Sequence, residues 1–159
     1  IIKVLTTSDY YSAWLYIPLL SASMIFNSFA NFMGSVYVVE KRSKNSFLTA
    51  MLGAVLNIIL NLILIPSPLG VQGAAIATFA SYFLVFVVRA INVMKYIPFS
   101  LAWKRVILNT LVILIQTVFI VLSLPFSIVI QVLAIMALLV VNFKYIKIFV
   151  YKILSFLRR

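Results

Sequence analysis

The sequence predicts an all-α fold in which five helices cross a membrane. Of its 159 residues, 65% are hydrophobic and 9% are charged, and the mean hydropathy is +1.22. Its apolar stretches are each close to the roughly 20 residues that a helix needs to cross a hydrocarbon core. None of them alternates like a barrel strand, and a spanning segment must satisfy its own backbone hydrogen bonds, so helices are the predicted solution.

The apolar stretches place the helices in order along the chain. We predict helices at 12–37, 46–65, 71–88, 103–124 and 127–142. The second and third helices are joined by a short uncharged turn at 67–70, and the fourth and fifth by another at 124–127. Each turn contains proline, which is typical of a chain reversal.

Basic residues fall into three clusters that orient these helices. They lie at 40–44, at 89–105 and in the C-terminal segment from Lys144 to Arg159. Because short loops rich in Lys and Arg stay in the cytoplasm, we expect both connections and the C-terminus inside and the N-terminus outside. A chain that begins outside at Ile1, without a start methionine, is expected to be a fragment whose earlier helices are missing.

The C-terminal segment 143–159 has its own pattern. Its Lys and Arg residues fall on one side of a helix and its large apolar residues on the other. We predict a basic amphipathic helix on the cytoplasmic leaflet, with membrane lipids as its partners. Nucleic-acid binding is not expected from so apolar a chain.

Missing residue types exclude several kinds of chemistry. The sequence has no Cys and no His, so it offers no thiol nucleophile, no imidazole base and none of the common zinc ligand sets. Its two acidic residues, Asp9 and Glu40, are predicted at opposite membrane faces and cannot form a catalytic carboxylate pair. We expect a conduit without metal or cofactor, and not an enzyme.

Small and polar residues recur every four positions in the second and third predicted helices. They are Gly53, Asn57 and Asn61 in the second helix and Gly73, Ala77 and Ser81 in the third. Residues spaced in this way share one helix face, and small residues let two helices approach closely. A tight antiparallel hairpin is predicted.

The segments 53–66 (GAVLNIILNLILIP) and 69–78 (LGVQGAAIAT) resemble the C-terminal half of Wzx-type polysaccharide flippases of the MOP superfamily, the polysaccharide biosynthesis C-terminal domain. The resemblance covers about residues 11–89. It implies that this chain is most of the second lobe of a transporter with about twelve to fourteen helices, whose missing N-terminal lobe completes it. It further implies that the whole protein moves oligosaccharides linked to undecaprenyl pyrophosphate across the bacterial cytoplasmic membrane, for O-antigen, capsule or exopolysaccharide biosynthesis.

Amide side chains within the predicted helices are the candidates for contact with such a substrate. They are Asn27, Asn31, Asn57, Asn61, Asn109 and Gln116. A polar group inside a membrane costs free energy unless it faces protein or water. Two interpretations stay open: the amides contact sugar hydroxyls in a cavity, or they hydrogen-bond between helices.

Three basic residues are candidates for binding the pyrophosphate headgroup: Arg89, Lys104 and Arg105. Guanidinium groups match phosphate oxygens well, whereas the alternative role for all three is to fix topology and contact anionic lipids. The five predicted helix interiors contain no Lys or Arg.

Two further functions compete with the flippase. One is a drug or metabolite exporter of the same superfamily, for which an intramembrane carboxylate would be expected. The other is a noncatalytic structural subunit of a glycan-synthesis complex, which would carry no substrate itself.

Overall fold

The chain is an all-α, multi-pass membrane protein, as its sequence predicts. The computed structural model describes residues 13–99, 101–122 and 127–157, and within them it contains five α-helices and no strand. The helices are α1 (Ile17–Val39), α2 (Ser43–Leu64), α3 (Val71–Val93), α4 (Trp103–Val121) and α5 (Ser127–Leu157). All five are long and apolar enough to cross a membrane. The predicted start of the first helix at residue 12, the turn at 124–126, and Arg158 and Arg159 lie outside the described residues.

The third and fifth helices are longer than predicted. α3 ends at Val93 instead of residue 88, so Arg89 lies inside a helix and not in a connection. The prediction that no helix interior contains Lys or Arg is therefore wrong. Arginine is a good helix former, and a charge ends an apolar run without ending the helix. α5 continues from Ser127 to Leu157, so the predicted basic segment is the second half of this helix.

The first three helices form one compact unit in which α3 packs against both α1 and α2. Close approach of α2 and α3 depends on two glycines. A Cβ atom added to Gly73 would lie 2.6 Å from the carbonyl oxygen of Leu64, and one added to Gly53 would meet a methyl group of Val85. The predicted tight hairpin is present because no side chain separates the helices at these two points.

Aromatic rings fill the contact between α1 and α3. Phe26 of α1 is 6% exposed. Its ring centroid lies 5.7 Å from that of Phe79, 5.0 Å from that of Phe83 and 5.4 Å from that of Phe86. The first two contacts are edge-to-face, the geometry that aromatic quadrupoles favour. This cluster holds α1 against α3. Polar residues of both helices lie on the side that α2 approaches.

One end of this three-helix unit is basic. Here α1 ends, α2 begins and α3 ends, and the end carries Lys41, Arg42, Lys44 and Lys95. We call it the basic end. Tyr96, just beyond α3, packs its ring under the Arg42 guanidinium at 5.5 Å and accepts a hydrogen bond from the Asn45 amide at 3.0 Å. These contacts fix the α1–α2 connection against the chain that leaves α3.

α4 and α5 form a second compact unit, which is described by itself. Asn109 and Asn142 exchange two hydrogen bonds between the helices, at 3.4 and 3.1 Å. The Arg105 guanidinium lies over the Tyr145 ring at 4.1 Å. Both contacts set the antiparallel register of the pair.

Candidate functional site

A cleft of about 340 Å³ lies among the three helices of the first unit. Its polar lining consists of Asn27 and Asn31 from α1, Asn57 from α2, and Thr78, Ser81, Tyr82 and Arg89 from α3. From Thr78 to Arg89 the cleft follows about 16 Å of helix, at about 1.5 Å per residue. Polar groups interspersed with Ala, Gly and Val residues therefore run from the middle of the membrane-spanning helices towards the basic end.

Arg89 occupies the end of the cleft nearest the basic end and is 7% exposed. Its Nε donates a hydrogen bond to Thr49 Oγ1 at 2.9 Å. Its Nη1 donates to the carbonyl oxygen of Ala30 at 2.8 Å, and Nη2 donates to that of Ser46 at 3.4 Å. Gly34 makes room for the head group, because a Cβ atom there would lie 2.6 Å from Nη1. The Arg89 guanidinium thus connects α3 with both α1 and α2.

The groups that accept these hydrogen bonds do not depend on Arg89. In an α-helix the carbonyls of Ala30 and Ser46 already accept from the N–H four residues later. The hydroxyl of Thr49 also has other partners, since it donates towards the carbonyls of Asn45 and Ser46 at 2.9 and 3.0 Å. Removal of the guanidinium would therefore leave no orphaned acceptor.

The positive charge of Arg89 has no acidic neighbour in the described part of the chain. Its hydrogen bonds there go to a hydroxyl and to carbonyls, all of them neutral. Glu40, the acidic residue among the described residues, is exposed beyond the end of α1. A buried charge without a counterion costs free energy, and a cation inside a membrane helix is a functional-site candidate for that reason. A guanidinium at the end of a cleft that also contains amides and hydroxyls can bind an anion.

The predicted amides of α1 and α2 pair within their own helices. Asn31 Nδ2 donates to Asn27 Oδ1 at 3.3 Å, and Asn61 Nδ2 donates to Asn57 Oδ1 at 2.9 Å. Asn27, Asn31 and Asn57 line the cleft with Arg89, whereas Asn61 lines a separate apolar depression near the end of α2. The structure therefore brings three of the predicted amides together with the predicted arginine.

The remaining predicted residues belong to the second unit. Asn109 pairs with Asn142 of α5, and Gln116 is half-buried on α4. Lys104 is exposed and Arg105 is half-buried against Tyr145. Asn109 thus fits the interhelical interpretation.

Sequence analysis did not identify two residues next to the Arg89 guanidinium, Thr49 and Gly34, although their spacing indicated their helix faces. Thr49 precedes Gly53 and Asn57 at the same four-residue spacing, so it continues their face of α2. Gly34 follows Asn31 by three residues and shares its face of α1. Extending each periodic face by one turn would have included them.

The pair between α4 and α5 gives a direct prediction. Asn109→Leu is expected to lower the free energy of unfolding by about 0.6 to 1.7 kcal/mol, because Asn142 loses its partner on α4. In that background, Asn142→Leu should cost less than it does alone. Thermal unfolding of the two single variants and the double variant in detergent micelles, followed by circular dichroism, measures the coupling. Strictly additive losses would contradict the pairing.

No protein-family model, no curated protein and no solved structure matches this chain.

Proposed function

We propose that this chain is part of a flippase that moves lipid-linked oligosaccharides across the bacterial cytoplasmic membrane. The observation that carries the proposal is a buried guanidinium, without an acidic neighbour among the described residues, at the end of a cleft whose lining includes three amides. A pyrophosphate-linked glycan offers both groups that such a cleft would bind, an anion and a row of hydroxyls. The resemblance of residues 53–78 to Wzx-type flippases supports the same substrate class.

In this proposal Arg89 binds a phosphate oxygen of the headgroup. A guanidinium has five N–H donors, and Arg89 uses three of them towards the described residues. The Nη2 bond to Ser46 is long at 3.4 Å, so that edge can turn to a stronger, charged acceptor. The anion would also supply a counterion, which Arg89 does not have among the described residues, and this favours binding in a medium of low dielectric constant.

The amides would contact the glycan. Asn31 lies level with the Arg89 guanidinium, which contacts the carbonyl of Ala30. Asn27 and Asn57 lie further from the basic end. Each amide has both donors and an acceptor, and the Asn31–Asn27 and Asn61–Asn57 hydrogen bonds leave some of these groups for sugar hydroxyls. The chain would act as a conduit, with no residue assigned to bond making or breaking.

The proposed orientation places the basic end in the cytoplasm. Lys41, Arg42, Lys44 and Lys95 lie at this end, and positive residues in short connections favour the cytoplasmic side. Arg89 would then lie near the face at which the substrate enters. The C-terminus would also be cytoplasmic, and a preceding lobe would close the other side of the path, as expected for a two-lobe transporter.

The test is transport by the full-length protein reconstituted in proteoliposomes. The Asn27→Leu/Asn57→Leu variant is expected to slow translocation of an undecaprenyl-pyrophosphate oligosaccharide by roughly tenfold, from the loss of two hydrogen bonds in the path. Translocation is measured as the fraction of substrate that becomes accessible to a glycosidase on the far side of the vesicle.

The matched control is Asn109→Leu/Asn142→Leu, which removes two amides that pair with each other. This control should retain transport at equal protein amount. Equal rates for both double variants would contradict a substrate role for the cleft amides. No transport by the wild-type protein would favour the structural-subunit alternative.

A further inference from the structure

The hydroxyl group of Tyr37 is buried and has no hydrogen-bond partner in the described part of the chain. Tyr37 lies near the end of α1, and its side chain is 0% exposed. It packs against Met33 and Val93, and the Tyr96 ring meets its ring edge-to-face at 6.4 Å between centroids. A buried hydroxyl without a partner costs free energy, and most such groups in native proteins are paired. Tyr37 is therefore a place where a second conformation of the protein can supply the partner.

Arg89 is a charged donor close to this hydroxyl. Its Nη1 atom lies against Gly34, and Tyr37 follows Gly34 by three residues on the same face of α1. Long side chains on a helix lean towards its N-terminus, so the Tyr37 ring extends from its own turn towards Gly34. Val93, which packs on Tyr37, is one turn beyond Arg89 on α3. The positive charge of Arg89 also interacts electrostatically with the Tyr37 hydroxyl. Tyr37 is not part of the cleft lining, so its hydroxyl approaches Arg89 from outside the cleft.

Arg89 has one weak hydrogen bond that it can exchange. Its bonds to Ala30 of α1 and Thr49 of α2 are 2.8 and 2.9 Å long, whereas its bond to the carbonyl of Ser46 in the first turn of α2 is 3.4 Å long. This carbonyl keeps its helical N–H partner when the guanidinium leaves it. A phenolic oxygen accepts hydrogen bonds. Exchange of Ser46 for Tyr37 would therefore leave no acceptor unpaired and would give the buried hydroxyl a charged donor.

This exchange would change how the cleft is closed near the basic end. α1 and α2 both pack on α3 and make few contacts with each other, so the cleft lies in the gap between them. Arg89 bridges this gap, because its guanidinium bonds to Ala30 on one side and to Ser46 and Thr49 on the other. With the Ser46 bond moved to Tyr37, the first turn of α2 would lose its bond to the guanidinium and could move away from α1.

We propose that the Tyr37 hydroxyl accepts a hydrogen bond from Arg89 in a second conformation, in which the guanidinium releases Ser46 and the cleft opens near the basic end. In the conformation described above, Arg89 closes that end and the hydroxyl stays unpaired. The hydroxyl therefore favours the open conformation twice, because it is unpaired in one state and paired in the other. This gate does not depend on which substrate the cleft binds.

The test measures how fast a thiol in the cleft reacts. This chain contains no cysteine, so Ala30→Cys introduces a single thiol at a cleft residue that is 2% exposed. Tyr37→Phe removes the unpaired hydroxyl from the closed conformation and the hydrogen bond from the open one, so it shifts the equilibrium towards the closed conformation. Alkylation of the Ala30→Cys thiol by N-ethylmaleimide in detergent micelles should therefore slow by at least about fivefold. The melting temperature should stay the same or rise.

Tyr96→Phe is the matched control, because it also removes a tyrosine hydroxyl at the basic end. This hydroxyl accepts a hydrogen bond from Asn45 of α2, so its loss should lower the melting temperature and should not slow alkylation. A second reporter, Ser46→Cys, changes one atom on the α2 side of the gap and should respond to Tyr37→Phe in the same direction as Ala30→Cys.

The Arg89→Met background shows whether Tyr37 acts through the guanidinium. Without the donor, Tyr37→Phe should leave the alkylation rate unchanged. An unchanged rate for Tyr37→Phe in the wild-type background, or equal slowing in both backgrounds, would overturn the proposal. A lower melting temperature for Tyr37→Phe would also overturn it, because the hydroxyl would then already have a partner in the closed conformation.

Discussion

Arg89→Met is expected to reduce translocation by about ten- to hundredfold while the protein stays folded. A hydrogen bond from a charged donor to a substrate phosphate contributes about 1.5 to 3 kcal/mol, which corresponds to this range of rates. Methionine is unbranched and flexible and can occupy the same channel between the helices. The measurement is glycan translocation in proteoliposomes, together with thermal unfolding of the same preparation.

Retained stability distinguishes a role of Arg89 in substrate binding from a role in folding. The carbonyls of Ala30 and Ser46 keep their helical N–H partners, and Thr49 keeps its own acceptors, so the substitution leaves no buried group unpaired. It also removes a buried charge that has no acidic neighbour in the described part of the chain. The melting temperature should therefore stay the same or rise. A structural role of Arg89 would instead lower it, with a proportional loss of protein in the membrane.

Lys44→Met is the matched control for Arg89→Met. Lys44 is exposed in the first turn of α2 at the basic end, so its substitution removes one positive charge without touching the cleft. Transport by this variant should stay within about twofold of the wild-type rate, because exposed charges are screened by salt. Equal losses in the two variants would show that net charge, and not the buried guanidinium, matters.

The helices of this chain were predictable because each depends on local composition. About twenty apolar residues in a membrane satisfy their backbone hydrogen bonds by forming a helix, and no distant residue changes that outcome. The end of α3 was not predictable on this basis. Arg89 looked like the start of a connection, yet the helix continues past it, and its buried guanidinium is accommodated by acceptors on Thr49, Ala30 and Ser46. Those acceptors lie at least 40 residues away in sequence.

The candidate site was predictable in part for the same reason. The spacing of Asn27 and Asn31, and of Asn57 and Asn61, placed each pair on one helix face, and each pair is hydrogen-bonded within its helix. Spacing does not decide which turn of a helix faces a cleft. Asn57 lines it with Arg89, whereas Asn61, one turn further along α2, does not.

Gly73→Ala is expected to have the largest effect on stability of any single methyl group added to this unit. The new Cβ would lie 2.6 Å from the carbonyl oxygen of Leu64 and 2.8 Å from its carbonyl carbon. A side chain can change its rotamer, whereas the helical backbone cannot, so α2 and α3 must separate next to the turn that joins them. Overpacking of this kind costs about 1 to 3 kcal/mol, which corresponds to a fall of roughly 2 to 12 °C in melting temperature.

Gly53→Ala provides the comparison, because the same methyl group meets a different obstacle in the same helix pair. Its nearest neighbour is a methyl group of Val85, a side-chain atom that Val85→Ala removes. The double variant Gly53→Ala/Val85→Ala should therefore recover most of the melting temperature that Gly53→Ala loses. Leu64→Ala should give little recovery to Gly73→Ala, since the carbonyl oxygen stays where it was. Recovery in both double variants would mean that side-chain volume, and not the distance between the two backbones, limits the approach of α2 and α3.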